Sequence, residues 1–484
     1  MPVNYIFKTD PYKHQKDALD QSLGKRSYAF FMEMGTGKSK ILIDTIANTE
    51  GISFACILAP KGVYHNWVNK EIPDHFPDSV PHRVIQWRAQ PTKEQEREMH
   101  SVAEPFEGIT IWVMNVESLS TQRGNKALSW LANKFGQQGL IAIDESTTIK
   151  NPKAKRTKNI IKAAHMFSYR RILTGSPVTQ SPLDLFSQCE FLGPRFLGHD
   201  SFYTFTNRYA ITQSRKMGAH SFQQVVGYKH IEELTEKVDK FAFRVLKKDC
   251  LDLPDKMYTV RSVSLTHEQR VAYVEIRDEA MTILKDELIA VNSIMTQMIR
   301  LQQVLSGYLK TEEGKILSLP NYRIQAVLDI LEESSGKVII WSRFRHDIQS
   351  LEKEIAAKFG QDSVASYYGD TSDDQRKEAV ELFQQPDSKL RFFVGNPQTA
   401  GFGLTLTEAT TMIYYANDFN LETRIQSEDR CHRIGQKKSV TYIDLITSGT
   451  IDERIVKALR KKIDISAKVL GEEAREWLKL APKQ

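Results

Sequence analysis

Three groups of residues in this 484-residue chain could do chemistry together. The first is Gly35-Thr36-Gly37-Lys38-Ser39-Lys40. A glycine turn ending in lysine and serine suits phosphate oxygens. Glycines without a Cβ let the backbone close on a ligand, and a following helix start offers N–H groups to an anion. Lys38 would reach the β- and γ-phosphates, and the Ser39 hydroxyl would sit on Mg²⁺. The pattern is imperfect, because its first glycine position is Met32. The second group is Asp144-Glu145, two carboxylates at the end of the apolar run Gly139-Leu140-Ile141-Ala142-Ile143. Neighbours on an extended strand point to opposite sides. One acid can therefore serve the metal (Asp144) while the other polarises the attacking water as general base (Glu145). The third is Arg430 and Arg433. Three apart, they share a face if helical, and two guanidinium groups on one face suit the charge developing on a triphosphate.

These residues need a scaffold that presents strand ends. To about residue 182, short apolar runs at 27–32, 54–59, 109–114, 140–143 and 171–174 alternate with helical patterns such as 39–48 and 62–70. Such alternation predicts a parallel sheet covered on both faces, with ligands at the carboxyl ends of its strands. From 183 to 319 long helical patterns dominate, and no proline or glycine occurs between Thr266 and Ser306. Residues 211–227, polar and basic, read as an exposed loop or hairpin, and 251–256 as a linker. From 320 the alternation returns, with strands expected at 337–341, 363–367, 391–394, 411–415 and 440–445. The expected division is 1–182, 183–319 and 320–484.

Composition narrows the class. A hydrophobic share of 41% and a charged share of 26% are ordinary for a globular protein. No apolar run is long enough to span a bilayer, and the N-terminus has no apolar signal core, so an intracellular, soluble location (cytosolic or nuclear) is expected. Four scattered cysteines have no zinc or disulfide spacing and read as reduced structural thiols. The net charge of +6 permits a nucleic-acid partner without demanding one. Basic residues cluster at Lys150, Lys153, Lys155, Arg156, Lys158 and Lys162, and again at Lys457, Arg460, Lys461 and Lys462. Each run is either a solvated face or a phosphate contact.

Taken in order, these stretches resemble the motifs of Swi/Snf-type ATPases of helicase superfamily 2, a family of DNA translocases and chromatin-remodeller motors. Pro11-Tyr12-Lys13-His14-Gln15 resembles the adenine-sensing motif, and Glu33 through Ser39 resembles motif I. Ala59-Pro60-Lys61 with Trp67 resembles motif Ia, Asp144-Glu145 with Ile149-Lys150-Asn151-Pro152-Lys153 motif II, and Leu173-Thr174-Gly175-Ser176-Pro177-Val178 motif III. Val338 through Phe344 resembles motif IV, and Tyr368-Gly369-Asp370-Thr371-Ser372 through Arg376 the block after it. Thr399-Ala400-Gly401-Phe402-Gly403-Leu404-Thr405-Leu406 resembles motif V, and Gln426 through Gln436 motif VI. The string Arg430-Cys431-His432-Arg433-Ile434-Gly435-Gln436 and the Ile-Lys-Asn-Pro extension are the most specific. Departures are Ser146-Thr147 where Ala-His is usual, Leu404-Thr405-Leu406 where Ile-Asn-Leu is common, and Asn396-Pro397-Gln398 at the entry to motif V.

The resemblance implies an α/β fold of two RecA-like parallel-sheet lobes, with helical insertions between and beside them and ATP with Mg²⁺ between the lobes. It adds Gln15 and Gly403 to the nucleotide contacts. It assigns Arg430 and Arg433 as arginine fingers, and Lys61, Ser118, Arg343 and Thr399 as nucleic-acid contacts. The expected activity is ATP-driven translocation on double-stranded DNA. A strand-separating or branch-migrating helicase, on DNA before RNA, and a slow ATP-gated clamp are the alternatives. No accessory reader domain is visible, and a monomer recruited by another protein or by DNA structure is expected.

Overall fold

The computed structural model describes residues 5–217, 220–251, 253–285, 291–311, 314–399, 404–433 and 435–469. It forms two compact units, one of residues 1–211, 227–252 and 465–472, the other of 212–226, 253–464 and 473–484. Most of 183–251 thus belongs with the first unit, and 253–319 with the second.

The strands of the first unit are β1 (Ser27–Met32), β2 (Phe54–Ala59), β3 (His82–Gln86), β4 (Ile109–Asn115), β5 (Gly139–Asp144), β6 (Tyr169–Leu173) and β9 (Ala242–Val245); the two strands that come between in the chain, β7 (Ala210–Met217) and β8 (His220–Tyr228), form a separate two-stranded sheet whose residues 212–226 are grouped with the second unit. Seven of them make one sheet in the order β3-β4-β2-β5-β6-β1-β9, every pair parallel. Phe54–Ala59 of β2 and residues 140–143 of β5 are apolar at every position because both faces are covered. Phe54, Cys56 and Leu58 of β2 enter one core, and Ala55, Ile57 and Ala59 the other. Two strands go beyond the expected set. β3 carries few apolar residues, as an edge strand does, and β9 is only four residues long. The expected helix at 62–70 is a short helix, Tyr64–Asn66, that widens into a π-turn over Trp67–Glu71. Pro73 follows at once and has no N–H to give the preceding turn.

The second unit has β10 (Lys256–Ser262), β11 (Tyr308–Lys310), β12 (Ile316–Ser318), β13 (Lys337–Trp341), β14 (Val364–Tyr367), β15 (Phe392–Gly395), β16 (Ala409–Tyr414) and β17 (Val440–Ile446). Its six-stranded sheet runs β10-β17-β16-β13-β15-β14, again all parallel, while β11 and β12 pair with each other. Here the linker expectation at 251–256 is corrected in part, since Lys256 already opens β10, which pairs with β17 along its whole length. The long helical stretch is two helices, His267–Lys285 and Val291–Leu305. Tyr273, Leu301 and Leu305 from these pack with Ile455, Leu459 and Ile463 of the last helix, Ile451–Val469.

Polar groups are sealed into this second unit. Asp347, in the first turn of the Arg345–Phe359 helix, is buried. Its Oδ2 accepts from Ser342 Oγ at 2.6 Å and Ser306 Oγ at 3.1 Å, while Oδ1 has no partner. Burial pushes its carboxyl up to about 7, against the pull of these hydrogen bonds and of Arg323. An unfolded aspartate titrates near 3.9. The protonated group's contribution to stability is therefore fully present below about pH 3.9 and is lost as pH rises through about 7. Melting followed from pH 5 to 8 is expected to show a falling stability that Asp347→Asn flattens. A variant whose stability falls in parallel with the parent would place the proton elsewhere.

Candidate functional site

In the first unit the three strands that carry the candidate chemistry are neighbours. Register sets Asp144 of β5 level with Leu173 of β6, and Leu173 level with Phe30 of β1. All three point the same way, so the ends of β5 and β6 and the turn after β1 meet on one edge of the sheet.

The turn after β1 is built by two glycines in the left-handed region, Gly35 at φ 79° and Gly37 at φ 87°. Gly37 also caps the helix Lys38–Asn48. A Cβ at Gly37 would meet only the mobile end of the Gln15 side chain, so it is the left-handed backbone angle that demands glycine. Gln15 and His14 are buried against this turn, both donating to Thr36 O, at 3.2 and 2.9 Å. Gln15 Oε1 accepts from Tyr12 N at 2.9 Å. Thr36 Oγ1 donates to Glu33 O at 2.7 Å, and Lys38 Nζ donates to Met32 O at 3.1 Å. Glu33 is drawn outward, its carboxylate accepting from Lys247 N at 2.8 Å. Ser39 is half-buried at the helix start. Lys40 faces away from this chemistry and forms a buried pair with Asp44 at 2.7 Å.

Asp144 ends its strand and holds two donors, Trp67 Nε1 on Oδ2 at 3.0 Å and Glu145 N on Oδ1 at 3.1 Å. Burial raises its carboxyl, and the Lys38 ammonium and the Trp67 bond pull it back. The π-turn delivers Trp67 to this carboxylate. The sequence marks Trp67 only by its place in motif Ia and carries no signal for the bond. Glu145 has φ 51°, a left-handed angle that costs a residue with a Cβ about 1–2 kcal/mol. Its carboxylate accepts from Thr174 Oγ1 at 3.2 Å, which joins the end of β5 to the end of β6. The adjoining Gly175 lies so close to the phosphate turn that a Cβ there would meet Met34 N at 3.1 Å.

A further link was not foreseen. Ser146 Oγ donates to Gln188 Oε1 at 2.7 Å, and Gln188 Nε2 donates to Pro177 O at 2.8 Å. This buried amide ties motif II to motif III. Lys150, counted in the basic run, donates to Thr179 Oγ1 at 2.7 Å, and Thr179 bonds to the Asp184 carboxylate. Lys153, Lys155, Lys158 and Lys162 of the same run are exposed. Lys61 is exposed, with its backbone N–H on Glu117 Oε2 at 3.0 Å. Ser118 is buried, its hydroxyl given to Asn115 O at 2.7 Å.

In the second unit Arg430 and Arg433 are not helical, because the helix Leu421–Glu428 stops before them. They lie in the turns that follow, yet both donate to Leu404 O, at 3.4 and 3.3 Å. A buried ionic framework holds the helix that precedes them. Arg424 pairs with Glu428 at 2.9 Å and with Asp444 at 2.5 Å, and Lys256 reaches Glu428 at 3.1 Å. With these partners overcoming burial, the Glu428 carboxyl is held down at about 2. Arg343 donates to Gln302 Oε1 at 3.1 Å and lies 3.8 Å from Asp418. Thr399 is half-buried, its N–H on Asn396 Oδ1 at 3.4 Å. Gly403 lies outside the described residues. Among those residues no group of three or more His, Cys, Asp or Glu could hold a metal, and no helix is long and apolar enough to cross a membrane.

Comparison with known proteins adds relationship to this geometry. The family model for an SNF2-related domain matches residues 21–310, and that for a helicase conserved C-terminal domain matches 322–435. An ISWI chromatin-remodeling complex ATPase of Arabidopsis thaliana, CHR17, is 26% identical over 463 residues, covering 90% of this chain and 40% of its own length. The transcription regulatory protein SNF2 of Saccharomyces cerevisiae is 25% identical, covering 68% of this chain and 20% of its own. The TATA-binding protein-associated factor MOT1 of the same yeast is 27% identical with the same coverage. The chain thus spans two-fifths or less of the length of these relatives. A solved Sulfolobus solfataricus SWI2/SNF2 ATPase core in complex with dsDNA is similar over 99% of this chain and 96% of that one, at 23% identity and a TM-score of 0.42.

The Trp67 bond gives a test of the site. A hydrogen bond to a charged group contributes about 1.5–3 kcal/mol. Trp67→Phe keeps the ring and removes the donor, so it is expected to cut ATP turnover at least severalfold while the fold, followed by circular dichroism, is kept. Turnover at the parent rate would show that Asp144 needs no such anchor.

Proposed function

This chain belongs to the SNF2-related ATPases of helicase superfamily 2, and we propose that it is an ATP-driven translocase on double-stranded DNA. One observation carries the reading. The phosphate turn, Asp144 and the Glu145–Thr174 pair lie on one edge of a parallel sheet, in a chain whose family is a nucleic-acid-dependent ATPase. Relatives named as chromatin-remodeling ATPases and as a TATA-binding protein-associated factor favour DNA as the track.

In this reading the N–H groups at the start of the Lys38–Asn48 helix and the Lys38 ammonium receive the nucleotide's phosphates. Gln15, bonded to the turn through Thr36, reports on the base. Mg²⁺ fits the donor set. Ser39 would offer it a hydroxyl and Asp144 a carboxylate held by Trp67, hard oxygen donors of the kind Mg²⁺ takes. When bound, the ion neutralises phosphate charge. Glu145 takes a proton from the attacking water, and Thr174 fixes the direction of its carboxylate. Arg430 and Arg433, both turned to Leu404 O, supply the positive charge that their motif implies.

Contacts to DNA are proposed at Lys61, Arg343 and Thr399, joined by the exposed lysines 153, 155, 158 and 162. Ser118 would take part only through its neighbours, since its hydroxyl is buried. Phosphate contacts of this kind make binding independent of sequence and steeply weakened by salt.

Glu145→Gln is expected to keep ATP binding and stop hydrolysis, and Lys38→Ala to lose both. Arg433→Ala should lower turnover with little change in nucleotide affinity, whereas a large loss of affinity would place that arginine in ground-state binding. The activity itself is tested by steady-state ATPase with no nucleic acid, duplex DNA, single-stranded DNA, a four-way junction and RNA, with Glu145→Gln as the blank. Plain duplex is expected to stimulate most and to support displacement of a third strand. A rate that no nucleic acid raises would overturn the motor reading.

A further inference from the structure

The strands β7 and β8 pair with each other and with no other described strand. Consecutive strands so closely joined are antiparallel. A hairpin in a folded domain ordinarily buries one face. This one does not. Residues 211–215 are exposed at five consecutive positions, and Phe222, Gln223 and Gln224 are exposed as well. Because alternate residues point to opposite faces, both faces are open to water. An isolated two-stranded hairpin is marginally stable in water.

One face can be defined from a contact. Arg215 Nε donates to Gln224 Oε1 at 3.1 Å, so the side chains of these two residues share a face. Alternation then places Ile211 and Gln213 with Arg215, and Phe222 and Val226 with Gln224. Phe222 is 47% exposed, Ile211 46% and Val226 50%. The face thus offers an aromatic ring, a guanidinium group and two carboxamides above an aliphatic base. From Ser201 to Ile231 the chain has no Asp or Glu. Arg208 is paired with Glu233, while Arg215 and Lys229 are exposed. An aromatic platform repels no base, carboxamides can pair with base edges, and a guanidinium reaches phosphate. A strand-pairing protein partner would use the backbone edges instead and would gain nothing from the exposed Phe222 ring and the Arg215 guanidinium.

We infer that this hairpin face binds unpaired bases of DNA, with Phe222 as stacking platform and Arg215 on the adjoining phosphate, and that it engages the DNA where a duplex opens. This deepens the proposed action on DNA and rests on it. It adds a preference for forks that a motor running along an intact duplex does not need.

The test uses the full chain without nucleotide. Affinity for a forked duplex with unpaired arms is compared with that for a blunt duplex of equal length by fluorescence anisotropy, for the parent, Phe222→Ala and Phe222→Trp. The parent is expected to prefer the fork. Losing a base–aromatic stack weakens binding by about fivefold or more, so Phe222→Ala should lose most of the preference while blunt-duplex affinity stays within about twofold. Phe222→Trp should restore it, which a merely misfolded hairpin could not do. Duplex-stimulated ATPase is measured in parallel. If it is absent in the parent, the translocase reading fails. If it is present but the parent shows no fork preference, or Phe222→Ala keeps one, the hairpin inference is overturned.

Discussion

Everything the first unit can do depends on three parallel strands ending level with one another. The backbone ladder that pairs β5 with β6 and β6 with β1 fixes the height of Asp144, Thr174 and the phosphate turn before any side chain acts. A shift of register by one residue would turn every side chain of a strand to the other face. Here both faces are packed, so such a slip would exchange two cores at once. The register is therefore held by the whole apolar content of the sheet, and the site inherits that rigidity. Arg244 strengthens the same edge, donating to Phe31 O at 2.8 Å and Gly175 O at 3.2 Å.

The second unit solves its positioning problem with charge rather than with strand ends. Arg424 is buried among Glu428, Asp444 and Asn417, and its guanidinium lies 3.4 Å from the Tyr414 ring centre. Buried charges are costly to desolvate, and such a group adds little net stability over an apolar packing. Removing one partner, however, leaves another charge unpaired at a cost of about 3–5 kcal/mol. The arrangement therefore specifies one position for the end of the Leu421–Glu428 helix, and with it the turn that carries Arg430 and Arg433. Arg323, buried and paired with Asp452, does the same for the start of the last helix.

The parts legible in the sequence were those written in local pattern. Continuous apolar runs bounded by turns mark β2 and β5, where both faces are buried, whereas the central β6 also buries Arg171, whose guanidinium donates to the carbonyls of Ser22 and Lys25. The turn glycines and the paired acids announced themselves by type. What escaped was set by distant partners. β3 and β10 lie at sheet edges and keep exposed positions, so their apolar signal is thin. β9 is a strand only because β1 is there to pair with it. The three-residue spacing predicts one helical face for Arg430 and Arg433, but the helix ends at Glu428 and both arginines turn to Leu404 O outside it. Ser118 looked like a surface contact by motif, and only the fold reveals that its hydroxyl is spent on Asn115 O.

The departure at Ser146-Thr147 is where sequence pattern and structure meet most closely. An alanine at 146 could not hydrogen-bond to Gln188, and Gln188 would be left a buried amide with an unmet oxygen. An unpaired buried polar group costs about 1–3 kcal/mol. The serine and the glutamine therefore form a unit, in which Gln188 holds Ser146, the residue after Glu145, through its oxygen and Pro177, three residues past Thr174, through its nitrogen. Glu145 sits between these anchors in a strained backbone conformation, with its carboxylate on Thr174. Strain at a single residue persists only where its surroundings over-determine it. Here the surroundings include two hydrogen-bonded bridges between the same pair of motifs, one through Thr174 and one through Gln188, and each bridge limits how far the two motifs can move apart.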